Sequence, residues 1–391
     1  MFNWGFIGSG TICKHTSKQI LKSGKHKISC VWSRTYAHAR EFANSVGAEA
    51  YETLEELLND KTIDGIYIGT PHSSHFKYAK LALERGIPVL VEKAFTLSYQ
   101  SSLKLLEIAK EHNTYICEAM WTWFAPSSLT VKNWIKENKI GKPLLMKSNF
   151  CVPNLFRPKE RIYNKLYGGG SLLDLGIYPI AYAYNLFGYP DDIKATARMK
   201  NGVDLECNIK LTYKNGLVCE LRSAIDRLGS CSTTIIGEEG RIKIPAPMHC
   251  SRKAILKGKE KIRYHDSYPF GLYENEFTIV SEEIKQEKRN RVTFLLVLLL
   301  MSWRSSKRLR SKLVCLTTKL IHYNYFFEFS RSSVIRASFL YPSSRTNLNS
   351  GHLLVSNLEA NLLRINPLDF SNTFIPSTSW SSIMKLTYTV A

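Results

Sequence analysis

Apolar and polar positions alternate along the first part of the chain in a way that predicts strands and helices in turn. Short apolar runs such as NWGFI, DGIYIG and IPVLVE have the length of buried strands, whereas HFKYAKLALERG and SLKLLEIAKEHN have the spacing of amphipathic helices. Strands that alternate with helices of about ten residues predict an α/β domain with a doubly wound parallel sheet. We assign residues 1–122 to this domain.

After Pro126 the alternation ends and a different pattern begins. SLTVKNWIKENKIG predicts a helix, PLLMKSNFCV a strand, and GGGSLLDLGIYPIAYAYNLFG a second helix. The stretch from IKATARMKNG to KAILKGKEKIRYH predicts strands joined by tight turns such as Lys-Asn-Gly, which is typical of an antiparallel sheet. Residues 123–288 are therefore expected to form an α+β domain with an open, mainly antiparallel sheet.

A glycine-rich turn joins the first predicted strand to the first predicted helix in GFIGSGTI. Gly8 permits a sharp turn, and Gly10 leaves space for a pyrophosphate at the helix N-terminus, where Thr11 and Ile12 follow. Cys13 stands where the dinucleotide-binding motif has its third glycine. The alternative is a tight turn without a ligand, but the complete strand-helix-strand unit favours a dinucleotide site.

The end of the second predicted strand bears on which dinucleotide binds. NAD sites carry a carboxylate there for the ribose 2′-hydroxyl, whereas this chain has Trp32, Ser33 and Arg34. A guanidinium forms charge-assisted bonds to phosphate, so Ser33 and Arg34 favour NADP over NAD. The alternative is that Arg34 is a solvated residue at the start of a helix.

Side chains after the predicted strands are candidates for the cofactor and substrate cleft, because ligands bind outside the carboxyl ends of parallel strands. Lys93 ends the apolar run IPVLVEK, so we expect its ammonium to emerge into that cleft. The alternative is that Glu92 and Lys93 pair with each other at the sheet edge. The candidates from these strand ends are Thr70, Pro71, His75, Glu92, Lys93 and Trp121.

The segment GGGSLLDLGIY carries the candidate chemistry of the second domain. Ser171 and Asp174 have the spacing of a capping box, which is the structural explanation of that acid. Tyr178 lies four positions after Asp174, so both side chains are predicted on one helix face. Gly176 costs about 1 kcal/mol relative to alanine in a helix, which a close approach of backbone or ligand would explain. The alternative for Tyr178 is a buried structural tyrosine.

Taken in order, GFIGSGTI, GTPHSSH, VLVEKAFT, CEAMWTWFAP and GGGSLLDLGIY resemble the glucose-fructose oxidoreductase and inositol dehydrogenase (Gfo/Idh/MocA) superfamily, over residues 2–288. EAMWTWFAP followed by DLGIY is most similar to its branch of dimeric dihydrodiol dehydrogenases and NADP-dependent D-xylose dehydrogenases. The resemblance implies a Rossmann nucleotide domain, catalytic roles for Lys93 and Tyr178, and positions near the nicotinamide for Glu92 and His75. It also implies a homodimer formed through the second-domain sheet.

The chain departs from the family pattern at two positions. Ala94 follows Lys93 where the family usually has proline, which puts the backbone geometry after the lysine in doubt. Tyr178 stands where many members have histidine, so the base is that of the diol and xylose branch.

Oxidation of a carbinol carbon needs a base for the hydroxyl proton while a hydride leaves for the nicotinamide. A tyrosine with an ordinary pKa of about 10 is a poor base at neutral pH, and a nearby ammonium lowers that pKa. We expect Tyr178 to take the proton, Lys93 to stabilise the phenolate, and Asp174 and Trp121 to contact the substrate.

The expected activity is hydride transfer to NADP+ from a small-molecule substrate, either an aldose such as D-xylose or a cyclic trans-diol. A second hypothesis keeps the fold and the cofactor but uses transient oxidation to cleave glycosides. A third hypothesis is a non-catalytic nucleotide-binding sensor.

Positive charge is concentrated in the last part of the chain. Lys and Arg number 53 against 33 Asp and Glu, and the part from Arg289 onwards holds 13 of the former and 3 of the latter. The basic run MSWRSSKRLRSKLVC follows the apolar run FLLVLLL, a combination that can attach a protein to anionic lipid or nucleic acid. A run of about ten apolar residues is too short for a bilayer, which needs about 20.

The same segment gives a different pattern in another reading frame. Shifted by one base, with synonymous codons of our choice, residues 301–314 become VMEIIEEIKKQIG, which has helical spacing and a closing glycine. We therefore expect residues 289–391 to be an out-of-frame, disordered or poorly packed tail whose charge indicates neither a nucleic-acid nor a membrane partner. A functional basic extension is the alternative.

Cysteine usage bears on the compartment. The nine cysteines are scattered and include no C-x-x-C pair, so neither a metal site nor a disulfide framework is indicated. MFNWGFIGSG predicts a strand and a turn instead of a cleavable signal. A reduced, cytoplasmic setting is expected.

Overall fold

The computed structural model describes residues 1–153, 161–266 and 269–287, together with the backbone of residues 313–319. The strands of the first sheet are β1 (Phe2–Ile7), β2 (His26–Trp32), β3 (Glu49–Ala50), β4 (Gly65–Ile68), β5 (Val89–Glu92) and β6 (Ile116–Ala119). They lie in the order β3-β2-β1-β4-β5-β6, and all neighbours are parallel. The predicted doubly wound parallel sheet is confirmed, and only the two-residue β3 was not anticipated by the sequence pattern.

Five helices connect these strands. They are α1 (Thr11–Ile20), α2 (Tyr36–Val46), α3 (Leu54–Asn59), α4 (His72–Leu83) and α5 (Tyr99–Glu111). The strand order reverses at β1, which has β2 on one side and β4 on the other. The connections after β1 and β4 therefore diverge and leave a crevice at the carboxyl ends of these two strands.

A second, larger sheet follows. The helices in this part of the chain are α6 (Pro126–Lys136), α7 (Ile177–Phe187) and α8 (Leu272–Lys285). Its strands are β7 (Pro143–Cys151), β8 (Asp192–Lys200), β9 (Val203–Thr212), β10 (Val218–Ala224), β11 (Thr233–Gly237), β12 (Arg241–Ile244), β13 (Lys253–Lys257), β14 (Lys261–His265) and β15 (Leu313–Lys319). The order is β14-β13-β12-β11-β7-β10-β9-β8-β15. β7 and β10 are parallel and the other described pairs are antiparallel, which confirms a mainly antiparallel sheet.

A two-residue turn sets the register of the β8–β9 hairpin, which lies toward one edge of this sheet. Asn201 and Gly202 connect β8 to β9 with φ angles of 50° and 77°. Both angles lie in the left-handed region that a type I′ hairpin turn requires, and Asn-Gly is the preferred pair for that turn. The register pairs Lys200 with Val203, so the KNG signal in the sequence was a correct guide to this hairpin.

Seven residues of the predicted tail have a described backbone. Leu313–Lys319 form β15, which pairs antiparallel with the outer edge of β8. An unpaired strand edge offers a row of backbone donors and acceptors, and an extended segment satisfies them whatever its side chains. The rest of 289–391, including residues 301–312 of the basic run, lies outside the described residues. None of the helices in the described part of the chain is long and apolar enough to cross a membrane.

α8 returns to the first sheet, although the sequence pattern assigned it to the second domain. The Phe277 ring lies 4.8 Å from Trp4 and 5.2 Å from Tyr67, and all three side chains are fully buried. The Tyr273 N–H donates to Gln19 Oε1 on α1 at 3.1 Å. The core of the first sheet is therefore completed by a helix that follows the second sheet in the chain.

Candidate active site

The turn after β1 has the geometry of a phosphate-binding loop. Gly8 has a φ of +121°, and a Cβ at this position would lie 2.7 Å from the Gly69 carbonyl oxygen, so both the conformation and the packing require glycine. A Cβ at Gly10 would meet nothing within 4 Å. α1 starts at Thr11, so its first backbone N–H groups face this open space.

Cys13 occupies the third glycine position of the dinucleotide-binding motif and packs against the neighbouring strand in its own way. The Cys13 Sγ lies 3.4 Å from the Gly69 carbonyl oxygen and is fully buried. A Cβ at Gly69 would lie 2.4 Å from that sulfur. The close approach of helix and strand that usually needs glycine on the helix is therefore obtained here by glycine on the strand side, beside Ile12.

A cavity of about 180 Å³ opens beside this turn, between the ends of β1, β2 and β4. Its wall includes Gly10, Ser33, Arg34, Thr70 and Pro71, all of which the sequence assigned to the cofactor. Among the described residues that line it, none is acidic. An exposed guanidinium at Arg34 and a hydroxyl at Ser33 thus lie where a carboxylate would select NAD.

Two histidines on α4 hold the loop after β5 without lining that cavity. The ring nitrogens of His75 lie 2.8 Å from the Thr70 carbonyl oxygen and 2.9 Å from the Ala94 carbonyl oxygen, and the ring is fully buried. His72 Nε2 donates to the Lys93 carbonyl oxygen at 3.1 Å, and burial lowers the pKa of His72 to about 3. These contacts fix the backbone on both sides of the Lys93–Ala94 peptide, which is cis.

Lys93 emerges from the end of β5 into a group of polar and aromatic side chains, as the sequence predicted. Its ammonium donates to the Asp174 carbonyl oxygen at 3.1 Å, lies 3.9 Å from Asp174 Oδ1, and is 5.2 Å from the centre of the Tyr178 ring. Burial opposes the charge, but Tyr178, Asp174 and Glu92 together raise the pKa of Lys93. Lys93 pairs with Asp174, so the alternative of a simple pair with Glu92 is wrong.

Glu92 lies beneath the cleft instead of on its surface. The Tyr67 hydroxyl donates to Glu92 Oε1 at 2.7 Å, and the Glu92 side chain is buried. Burial raises the pKa of Glu92 to about 7, although the hydrogen bond from Tyr67 and the charge of Lys93 oppose the shift. Glu92 therefore supports the strand end that presents Lys93.

The predicted capping box at Ser171 and Asp174 is wrong. The Ser171 hydroxyl donates to Asp204 Oδ2 at 2.8 Å, and Leu172–Gly176 form one π-helical turn ahead of α7. A Cβ at Gly176 would lie 2.9 Å from the Ser223 hydroxyl on β10, so close packing against a strand requires this glycine. Because Asp204 caps the turn from outside, Asp174 is available for other partners.

Asp174 binds an arginine that the sequence pattern did not single out. Arg161 Nη1 donates to Asp174 Oδ2 at 3.2 Å and Nη2 donates to Oδ1. The Asp174 side chain is 6% exposed. Burial alone would raise its pKa, but Lys93 and Arg161 hold the pKa of Asp174 below its usual value. Asp174 is therefore ionised and interacts with both Lys93 and Arg161.

Tyr178 has the position predicted for it but not the predicted pKa. Trp121 Nε1 donates to the Tyr178 hydroxyl at 3.0 Å. Burial raises the pKa of Tyr178, and the Lys93 ammonium and the Trp121 N–H offset that effect only in part. The expectation that Lys93 would bring the pKa below its usual value is therefore wrong, because desolvation of the phenol is the larger effect.

Aromatic side chains from four distant parts of the chain surround Tyr178. Trp121 stacks on Tyr273 with ring centres 4.7 Å apart, and Phe150 stacks on His249 at 4.4 Å. The His249 ring is 5.2 Å from Tyr178, and burial lowers the pKa of His249 to about 4, so it is neutral at neutral pH. The site therefore consists of Lys93 and Tyr178, surrounded by aromatic side chains.

Arg161, Phe150, His249 and Tyr273 were not identified from the sequence. Arg161 begins the 3-10 turn Arg161–Tyr163 and His249 lies in another, Met248–Cys250, so neither belongs to a longer periodic pattern. Phe150 and Tyr273 fit their strand and helix as ordinary apolar residues. No local signal distinguishes them, because their proximity to Tyr178 arises from the packing of the two sheets.

Both domains of the chain match known protein families. Residues 2–119 match the family described as "Oxidoreductase family, NAD-binding Rossmann fold", and residues 128–243 match "GFO/IDH/MocA C-terminal domain". Trans-1,2-dihydrobenzene-1,2-diol dehydrogenase from Danio rerio is 31% identical over 272 residues, which cover 66% of this chain and 78% of that protein. D-xylose 1-dehydrogenase (NADP(+)) from Hypocrea jecorina is 31% identical over 202 residues, 46% of this chain and 52% of that protein.

A solved structure shares the fold at low sequence identity. A 3-ketoreductase from Actinomadura kijaniata, in complex with NADP and TDP-benzene, has a TM-score of 0.68 and 20% identity, covering 78% of this chain and 97% of that one. With the family matches, this solved structure supports the parallel Rossmann-type sheet followed by a second sheet. The chain belongs to the GFO/IDH/MocA family of oxidoreductases, in the branch of the dihydrodiol and D-xylose dehydrogenases.

Proposed function

We propose that the protein is an NADP-dependent dehydrogenase that oxidises a carbinol carbon of an aldose such as D-xylose or of a cyclic trans-diol. The observation that carries the proposal is the contact set of Tyr178. Its hydroxyl accepts the Trp121 N–H at 3.0 Å, and its ring lies 5.2 Å from the Lys93 ammonium. A phenol beside two donors at the carboxyl end of a parallel sheet is suited to exchange a proton with a substrate hydroxyl.

The residues at the glycine turn fit NADP. The open space in front of Gly10 and the N-terminal N–H groups of α1 suit a pyrophosphate. Arg34 and Ser33 lie at the end of β2, where they would hold a 2′-phosphate through charge-assisted hydrogen bonds. When bound, NADP+ supplies the acceptor for the hydride that leaves the carbinol carbon.

The protein's own part in the reaction is transfer of the hydroxyl proton. In oxidation, Tyr178 Oη takes the proton of the reacting hydroxyl as the carbonyl forms, and the Lys93 ammonium and the Trp121 N–H stabilise the phenolate beforehand. In reduction, the protonated phenol returns that proton. Because burial raises the pKa of Tyr178, the oxidative direction is favoured by high pH and the reductive direction by neutral pH.

The wall around Tyr178 indicates a ring-shaped substrate. Trp121 and Tyr273 stack face to face, and Phe150 and His249 form a second stack beside them. The apolar face of a sugar or cyclohexane ring packs against aromatic rings, while its hydroxyls reach polar groups at the edge. The relatives with dihydrodiol and D-xylose in their names support the same two classes.

The test is NADP+ reduction, followed by NADPH absorbance, against D-xylose, D-glucose and trans-cyclohexanediol. We expect turnover with at least one of them, faster with NADP+ than with NAD+, and loss of turnover in Tyr178→Phe. Tyr178→Phe turnover equal to that of the unaltered protein would rule out the proton-transfer role. Substrate cleavage without net NADPH would instead indicate transient oxidation, and binding without turnover would indicate a sensor.

We also propose that two copies associate through the second sheet and that the protein acts in the cytoplasm. The large mixed sheet presents exposed polar side chains such as Asn208 and Lys210 on β9. Light scattering after size-exclusion chromatography measures the association, and a mass of one chain would contradict it.

A further inference from the structure

Arg161 and Lys93 both interact with the buried Asp174 carboxylate, and Arg161 contacts it more closely. Arg161 donates to both carboxylate oxygens of Asp174, with Nη1 3.2 Å from Oδ2. The Lys93 ammonium lies 3.9 Å from Oδ1 and instead donates to the main-chain carbonyl of Asp174 at 3.1 Å. The carboxylate charge is therefore directed mainly at Arg161.

The chemistry of the three groups explains this division. A planar guanidinium binds a carboxylate in two parallel hydrogen bonds, which a single ammonium cannot match. With both oxygens engaged, Lys93 binds a neutral carbonyl, and its charge remains near Tyr178, 5.2 Å away. Without Arg161, a carboxylate that is 6% exposed would need another cation, and Lys93 is next to it.

The backbone holds Arg161 in place independently of any ligand. The Gly170 N–H donates to the Ile162 carbonyl oxygen at 2.8 Å, and the Asn164 N–H donates to the Arg161 carbonyl oxygen at 2.9 Å. A Cβ at Gly169 would lie 2.5 Å from that same Arg161 carbonyl oxygen. The glycines ahead of α7 thus allow the turn Arg161–Tyr163 to lie against the start of the π-helical turn.

We propose that Arg161 is a positioning residue: by binding both oxygens of Asp174, it keeps the Lys93 ammonium free to act on Tyr178. This inference rests on the proposed function, in which Tyr178 exchanges the proton. The charged and titratable groups that act on Lys93 or are acted on by it are Tyr178, Asp174, Glu92, Arg161, His72, Glu118 and His249. Among these, Arg161 is the group whose removal alone redirects Lys93 toward Asp174 without touching the phenol.

The experiment begins with Arg161→Met, which keeps the length of the side chain and removes the charge. We expect kcat for NADP+ reduction to fall about 10- to 100-fold, the effect of misplacing a catalytic group by about 1 Å. We also expect the midpoint of the pH profile to move to higher pH, because Lys93 is drawn from Tyr178 to Asp174. The matched control is Arg85→Met. Arg85 donates to both carboxylate oxygens of Glu55, away from the site, so this change should leave kcat and the midpoint of the pH profile unchanged.

Rescue by a second change separates positioning from loss of structure. Arg161→Met combined with Asp174→Asn removes the carboxylate that attracts Lys93, so kcat should recover relative to Arg161→Met alone and the midpoint should return. A double variant no faster than Arg161→Met, or an unchanged midpoint in Arg161→Met, would overturn the proposal. If Arg161→Met does not fold, Arg161→Lys takes its place in the comparison with the double variant. Arg161→Lys keeps the positive charge but cannot form two parallel hydrogen bonds to Asp174, so it tests the same positioning role.

A readout without turnover distinguishes this inference from the proposed function. The titration of Tyr178 can be followed by NMR of isotope-labelled tyrosine, with its resonance assigned from the Tyr178→Phe spectrum. The titration should move to higher pH in Arg161→Met and return in the double variant. Absence of dehydrogenase activity with this shift present would contradict the proposed function alone, whereas activity with no shift would contradict the role of Arg161 alone.

Discussion

The hydrogen bond from Trp121 to Tyr178 gives the sharpest prediction about catalysis. Trp121→Phe removes the indole N–H but keeps an aromatic ring to stack on Tyr273, whose plane is within 1° of the indole plane. The lost donor lies 3.0 Å from the Tyr178 oxygen and favours the phenolate over the phenol. The variant should therefore form the Tyr178 phenolate, which oxidation requires, less readily.

The size of the defect follows from the charge on the acceptor. A hydrogen bond to a charged group contributes about 1.5–3 kcal/mol, and each 1.36 kcal/mol is about tenfold in rate. Because Trp121 is partly exposed and Lys93 still faces the ring, we take the lower limit, which gives about tenfold in kcat/KM near neutral pH. The defect should shrink as the pH rises, since Tyr178 then ionises without the indole.

The assay is the pH profile of kcat/KM for NADP+ reduction. Trp123→Phe is the matched control, because Trp123 Nε1 donates to the Ala181 carbonyl oxygen at 2.9 Å and does not contact the phenol. This control should lower the melting temperature without changing the shape of the profile. A Trp121→Phe profile that superimposes on that of the unaltered protein, or an equal change in Trp123→Phe, would refute the reasoning.

Three further predictions test the cofactor, the core and a buried acid. Arg34→Ala should raise KM for NADP+ by about 10- to 100-fold, the loss of one charge-assisted contact to phosphate, and leave KM for NAD+ unchanged in the same assay. Phe277→Ala should lower the free energy of unfolding by about 3–5 kcal/mol in urea, and Phe277→Leu by much less; equal effects would contradict the packing argument. Burial raises the pKa of Glu92 from 4.5 to about 7, so unfolding releases a proton in that range and the fold loses stability as the pH rises through it. Glu92→Gln keeps an acceptor for Tyr67 and should reduce this slope, measured by urea denaturation at several pH values.

The sequence alone was sufficient to predict the elements that depend on residues close together in the chain. The turn at Gly8 and Gly10, the strand that ends in Lys93 and the Asn201-Gly202 hairpin each depend on residue types within a few positions. Backbone geometry and hydrophobic period determine these features, so the parallel sheet and the mainly antiparallel sheet could both be predicted.

Features that depend on distant contacts could not be predicted in this way. Asp174 looked like a capping residue because its spacing from Ser171 is right, but Ser171 donates to Asp204 on β9, which lies 33 positions away in the chain. The pKa of Tyr178 depends on how completely packing removes it from water, which no local pattern gives. Arg161 is one arginine in a polar loop until the fold brings it to Asp174.

The packing of Phe277 on Trp4 also sets an order of events during synthesis. Strand β1 leaves the ribosome first, but the ring that completes its core is about 270 residues behind, which at 5–20 residues per second is a delay of about 15 to 55 s. Throughout that interval the nascent first sheet has an uncovered aromatic surface. The core of the first sheet therefore cannot be completed before α8 has been synthesised.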